Sequence, residues 1–129
     1  ISILRRTTEE YGIDLFLVVA MTHKSAYDFI NKNFMEFLEI ASELCDGVIA
    51  PATFPDIIRD ARRILGSNKL ILSPGIGAQG ARFGDALRNG ADFEIIGRAI
   101  TLSDNPLSTV IEINKIHKSV LQGIYNVHI

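Results

Sequence analysis

Apolar residues fall into short unbroken runs, separated by longer stretches where they recur every three or four positions. The first run, residues 15–21, is continuous enough for a strand buried on both faces. A polar loop over 22–27 leads to Phe29, Ile30, Phe34, Phe37, Leu38 and Ala41 at helical spacing. That spacing predicts a helix over 28–44, with Asp28 as its cap or first-turn acid. A second strand is expected at 47–50 and a helix at 56–65, with Pro55 in its first turn and Gly66 at its end. A third strand at 69–73 runs into a glycine-rich loop. A shorter helix at 83–89, closed by Gly90, and a fourth strand at 92–96 follow. Asn105 as N-cap and Pro106 at the first position open a last helix reaching about residue 121. Its expected core face is Val110, Ile113, Ile116, Val120 and Leu121. The leading segment 1–11 reads as the end of a helix stopped by Gly12, and 123–129, apolar without period, as a loose tail.

Alternating strands and helices with buried strands mean an α/β fold, with a parallel sheet and right-handed crossovers. The 129 residues hold one core without a dividing linker. They are too few for a full (β/α)8 barrel of about 250 residues. Four strand–helix units make half of such a TIM-type barrel, entered partway through the preceding helix. The chain has no starting Met and no signal-peptide pattern, and reads as beginning inside an element.

Composition narrows the function. A net charge of −2 without a basic stripe argues against nucleic acid. Arg59, Arg62 and Arg63 share a helix with Asp56 and Asp60 and read as a solvated face, as do Glu9 and Glu10. No apolar run reaches the roughly 18 residues that span a bilayer. Cys45 is the only cysteine, so no internal disulfide forms, which fits a reducing cytoplasm. Between Leu44 and Asp46 it reads as a small buried hydrophobe. No His, Asp, Glu or Cys spacing reads as a metal site.

The chemistry concentrates where two successive strands run into glycine. The third strand ends in Pro74-Gly75-Ile76-Gly77-Ala78-Gln79-Gly80, the fourth in Ile96-Gly97-Arg98. A glycine turn brings backbone N–H groups close to an anion. An arginine past the next strand can clamp the same anion bidentately. Two strand ends converging on one phosphate is the layout of a barrel phosphate site. The loop also matches G-x-G-x-x-G, the dinucleotide fingerprint. That fingerprint belongs after a first strand, with an acid at the second strand's end. Here it follows the third strand, and Glu94 lies inside the fourth. A glycine turn without a ligand and a merely solvated Arg98 are the plain alternatives. At the same rim, His23 reads as a base, a neutral hydrogen-bond partner or a structural residue, and Lys24 has no acid beside it in sequence.

These residues resemble the orotidine 5'-monophosphate decarboxylase family, particularly its archaeal branch. The resemblance rests on Leu72-Ser73-Pro74-Gly75-Ile76-Gly77-Ala78-Gln79-Gly80, then Ala91-Asp92-Phe93, Ile95-Ile96-Gly97-Arg98-Ala99-Ile100 and Ser103-Asp104-Asn105-Pro106. Met21-Thr22-His23 is similar to the family's Met-Ser-His, and Asp46-Gly47-Val48-Ile49-Ala50 followed by Pro55 to its sixth strand and next helix. The resemblance implies strands five to eight of the barrel, the C-terminal half. It also implies cofactor-free decarboxylation of orotidine monophosphate to uridine monophosphate, and a homodimer or a complementing N-terminal half as partner. By position, Gln79, Gly97 and Arg98 would hold the 5'-phosphate on the loop of Gly75, Gly77, Ala78 and Gly80. Thr22 would bond the pyrimidine and Gln79, while Pro74 and Ile76 would line the base pocket. Two departures stand out. Lys24-Ser25 replaces the family's Pro-Gly. The catalytic Asp-x-Lys-x-x-Asp motif of the third strand is absent, so the resemblance supplies no catalytic residue here. Both open sheet edges are expected to recruit another chain.

Overall fold

The computed structural model describes residues 1–125. Helix α1 (Ser2–Tyr11) ends at Gly12 in the left-handed conformation. Then follow β1 (Phe16–Val18), two short 3-10 turns (Lys24–Asp28 and Asn31–Asn33), α2 (Phe34–Leu44), β2 (Gly47–Ile49) and α3 (Pro55–Leu65). The chain continues with β3 (Leu70–Pro74), α4 (Asp85–Arg88), β4 (Phe93–Ile95), α5 (Arg98–Thr101) and α6 (Pro106–Tyr125). The strands form one sheet in the order β1-β2-β3-β4, every pair parallel. This is the expected α/β architecture, a partial (β/α) barrel of the TIM type.

Register explains the burial. Leu17, Val48 and Ile71 stand side by side on one face of the sheet, and Ser73 lies beside Glu94 on the same face. That face meets Leu38 and Ala41 of α2 and Ile58, Ala61 and Leu65 of α3 to form the core. Buried Ser73 donates to Ala50 O at 2.7 Å, so its hydroxyl is satisfied. Cys45 lies in the same core, and burial pushes its thiol pKa up. The opposite face carries Phe16, Val18, Ile49, Leu72, Phe93 and Ile95. Gly47 sits there because a Cβ would lie 2.3 Å from Leu70 O and 2.5 Å from the Phe16 ring. Among the described residues no helix covers this second face: Val18 is 38% exposed and Phe93 57%.

Two aspartates tie the N-terminal ends of the strands. Asp46 Oδ2 accepts the Leu15 N–H at 2.7 Å and an Arg5 N–H at 2.6 Å. The Arg5 guanidinium, then the Leu15 N–H, hold the Asp46 carboxyl below the usual range. Asp92 Oδ2 repeats the arrangement with the Ile71 N–H at 2.7 Å and Arg62. Arg62 also donates to Gly90 O at 2.8 Å and Lys69 O at 3.0 Å. It is therefore an organising residue of this rim and not part of a solvated face. Arg59 and Arg63 pair with Asp56 and Asp60 on the exposed side of α3.

Several elements differ from expectation. The helix expected over 28–44 begins only at Phe34, because Asn31 turns its amide onto the Met21 backbone, accepting the N–H and donating to the O, both at 2.9 Å. The segment before α2 is held in 3-10 turns as a result, and Asp28 ends one of them rather than capping a helix. Asn105 caps α6 through Ser108 N at 3.0 Å. On α6, Ile113 and Val120 are buried, but Leu121 is exposed and His117 takes a place on the inward face. Residues 123–125 continue α6 rather than joining a loose tail, and residues 126–129 lie outside the described residues. None of the described helices is long and apolar enough to cross a membrane.

Candidate functional site

The C-terminal ends of the strands present the glycine loop. Pro74 is the last residue of β3, and beyond it the chain curls back so that Ile76 bridges Ala81. Gly77 N donates to Ala81 O at 2.7 Å and Gly80 N to Gly77 O at 3.0 Å. Gly77 has φ +72, and a Cβ there would lie 2.9 Å from the Ala99 Cβ. A side chain at this position would both strain the backbone and push the loop off α5. The loop after β3 and the short helix after β4 therefore pack as one unit.

Pro74, Gly75, Ile76, Ala78, Gln79, Ile95, Gly97 and Arg98 surround an open recess of about 230 Å³. Arg98 makes no side-chain hydrogen bond or ion pair among the described residues, and Arg98 and Ala99 lie in the first turn of α5, where backbone N–H groups lack helical partners. A second recess of about 210 Å³ adjoins it, bordered by Ala20, Met21, Thr22, His23, Pro51, Pro74 and Gln79. Pro74 and Gln79 border both. Thr22 Oγ1 donates to Gln79 Oε1 at 3.4 Å, a long bond across the partition.

Of the residues singled out from sequence, Gly75, Ala78, Gln79, Gly97 and Arg98 thus border one recess, and Thr22 the next. Ile76 borders the Arg98 recess, but its side chain belongs to the core. Gly77 packs behind the loop, and Gly80 faces a larger recess of about 500 Å³ toward α3 and α4. That larger recess has two arginines, but both are engaged: Arg59 with Asp56 and Asn89, Arg82 with Asp85. Its positive charge is already compensated, unlike that of Arg98, which has no such partner among the described residues. His23 borders the Thr22 recess, whereas Lys24 lines neither.

Sequence reasoning missed Glu94 and His117. Glu94, with a side chain 0% exposed, accepts Gly84 N at 2.9 Å and Ala86 N at 3.0 Å. His117 Nε2 lies 2.8 Å from the same carboxylate. This set joins β4, the start of α4 and α6. An acid inside an apolar strand was the available signal, since a strand interior buries a charge only when it is paired.

The profile of the orotidine 5'-phosphate decarboxylase / HUMPS family matches residues 1–113. The orotidine 5'-phosphate decarboxylase of Methanococcoides burtonii is 39% identical over 102 residues, covering 78% of this chain and 47% of that protein. The Pyrococcus horikoshii enzyme is 46% identical over 94 residues, covering 72% and 45%. The crystal structure of orotidine 5'-monophosphate decarboxylase from Sulfolobus solfataricus superposes with a TM-score of 0.80 at 34% identity, covering 92% of this chain and 55% of that one. The chain spans about half the length of the curated relatives it matches. On this evidence the chain belongs to the orotidine 5'-phosphate decarboxylase / HUMPS family.

Proposed function

We propose that this chain is the phosphate- and base-binding half of an orotidine monophosphate decarboxylase barrel, and that it binds the nucleotide without converting it alone. The observation that carries this reading is the recess where Arg98, unpaired among the described residues, adjoins the Gln79 loop. Arg98, Gln79 and the Gly97 backbone hold the 5'-phosphate, with charge-assisted bonds supplying most of the affinity. The loop of Gly75, Gly77, Ala78 and Gly80 gives the backbone its close approach, with Ile76 anchoring it to the core. Thr22 and Pro74 meet the pyrimidine in the adjoining recess. Within the barrel this chain corresponds to strands five to eight, the C-terminal half, in a cytoplasmic enzyme of pyrimidine biosynthesis.

Decarboxylation needs a cation to protonate the C6 carbanion and acids to press on the substrate carboxylate. Neither recess holds an Asp–Lys pair. Phosphate contacts at a distance from the reacting carbon supply binding energy that catalysis uses, yet they cleave no bond by themselves. The chemistry therefore falls to a complementing half, and the assembled enzyme needs no cofactor.

Calorimetric titration with uridine monophosphate, together with an absorbance assay on orotidine monophosphate, tests the reading. Saturable binding of uridine monophosphate without turnover is expected. Absence of binding, or preference for a sugar phosphate lacking the base, would overturn it. Turnover by the chain alone would show that the reacting groups had been misplaced.

A further inference from the structure

The buried Glu94 carboxylate takes no part in the phosphate reading. Its side chain is 0% exposed. A carboxylate taken out of water persists only where hydrogen-bond donors replace the solvent. Three donors do so here. Oε2 accepts Gly84 N at 2.9 Å and meets His117 Nε2 at 2.8 Å, and Oε1 accepts Ala86 N at 3.0 Å. An ionised carboxylate has no proton to donate, so His117 carries its proton on Nε2.

The elements that meet at this carboxylate border the Arg98 recess from two sides. Glu94 stands in β4 beside Ser73, and the next register pair, Ile95 and Pro74, borders the recess. The same strand leads into Gly97 and Arg98. Gly84, in turn, ends the return arm of the Gln79 loop. That arm starts at Ala81, which bridges Ile76 and accepts the Gly77 N–H. Only Arg82 and Phe83 separate Ala81 from Gly84. One carboxylate thus joins the strand that delivers Arg98 to the arm that closes the loop of Gln79.

His117 adds α6 to this junction. Among the described residues, its bond to Glu94 is the only side-chain hydrogen bond from α6 to another element. Apolar packing brings α6 to the same arm: a Cβ on Gly84 would lie 2.8 Å from Val120 Cγ2 and 3.5 Å from Ile116 Cγ2. Helix α6 also packs on α5, whose first residue is Arg98. Removing one partner from a buried charge leaves it under-compensated. The bonds that must then rearrange are those to Gly84 and Ala86.

We infer that His117 and Glu94 are positioning residues for the anion recess: the pair fixes the separation between Arg98 and the Gln79 loop without lining either recess. The inference takes its ligand from the phosphate reading above, and its account of the loop from the geometry alone.

Amide hydrogen exchange on the full chain, resolved by NMR, tests the positioning without any ligand. His117→Leu keeps apolar bulk and removes the donor, whereas His117→Gln keeps an N–H near the place of Nε2. In His117→Leu the Gly84 and Ala86 amides should exchange about tenfold faster, the scale of a lost hydrogen bond to a charged group, and the Gly77 amide should follow. Amides of the central strand β2 report global opening and should keep the parent rate. His117→Gln should restore all three loop-side amides. Uridine monophosphate should bind His117→Leu about tenfold more weakly than the parent, and His117→Gln close to parent strength. An unchanged Gly77 rate, equal acceleration of β2, no rescue by glutamine, or parent-like affinity in His117→Leu would overturn the inference. If the parent chain binds no uridine monophosphate, the phosphate reading fails and exchange alone decides the positioning. Should His117→Leu fail to fold, Glu94→Gln, which keeps the shape and turns one acceptor into a donor, is measured in the same way. Loss of folding in both would make the pair a support of the whole core and overturn the inference.

Discussion

The two ends of the sheet are built from similar residues to opposite ends. At the N-terminal rim, Arg5 and Arg62 meet Asp46 and Asp92, and each acid also receives a strand N–H. Lys69 Nζ donates to Cys45 O at 2.6 Å. At the C-terminal rim, Arg98, Lys24 and His23 have no side-chain partner among the described residues, and the one polar side-chain contact across the recesses is the long Thr22–Gln79 bond. Charge at one rim is spent on holding the strands together, and at the other it is left available. That division is the general one in (β/α) barrels, where the N-terminal face stabilises and the C-terminal face binds.

The sharpest way to break the comparison is at Arg62. Arg62→Ala removes donors to Gly90 O and Lys69 O and the partner of Asp92. It should lower unfolding free energy by about 2–3 kcal/mol, read by urea titration, with nucleotide affinity of the folded fraction unchanged. Weakened affinity in the folded fraction would mean the rims are not separable. Arg98→Ala is the mirror experiment. It should weaken uridine monophosphate binding by about 1.5–3 kcal/mol, measured by calorimetry, and move stability by less than about 0.5 kcal/mol. Unchanged affinity would remove Arg98 from the site.

Gly77→Val tests the packing of the loop on α5. The φ of +72 and the 2.9 Å approach to Ala99 predict a loop displaced from its recess. About tenfold weaker binding, or 1.4 kcal/mol, is expected by the same titration, and a full-strength binder would show that the loop adapts freely. Thr22→Val should cost about 0.5 kcal/mol of binding, the low end for a neutral hydrogen bond. A loss as large as that of Arg98→Ala would make the base recess the dominant anchor.

The smallest effect concerns acid. The Asp46 carboxyl lies below its ordinary pKa in the folded chain, chiefly through Arg5. Its contribution is therefore fully present above the ordinary aspartate value of about 4 and fades as pH falls through the folded value. Asp46→Asn should flatten the stability profile below about pH 4; an unchanged acid limb would assign it to other carboxylates.

Much of this division can be read from sequence, for physical reasons. Unbroken apolar runs mark strands buried in a parallel sheet, and β2, β3 and β4 lie within their predicted spans to a residue. Glycines cluster where the backbone must turn tightly, so the β3 loop stands out. What stays hidden depends on distant partners. Arg62 looks like any helix-surface arginine until Gly90 and Asp92 fold against it. Glu94 and His117 look polar and thus external, yet they satisfy each other inside. Asn31 has no local signal that its amide will seize the Met21 backbone and delay α2. Thr22 and Gln79, 57 residues apart, show no sign in sequence of sharing a wall.

That shared wall has a further consequence. Because Gln79 and Pro74 separate two recesses of comparable size, the proposed nucleotide reading assigns a free phosphate and a free pyrimidine base to one compartment each. On that reading a nucleotide joins the two by a single ribose, so once one end is seated the other is offered to its recess at an effective concentration in the millimolar range or above. The proposal then puts selectivity in the length of the sugar between the two groups, with Gln79 as the gauge that reads it.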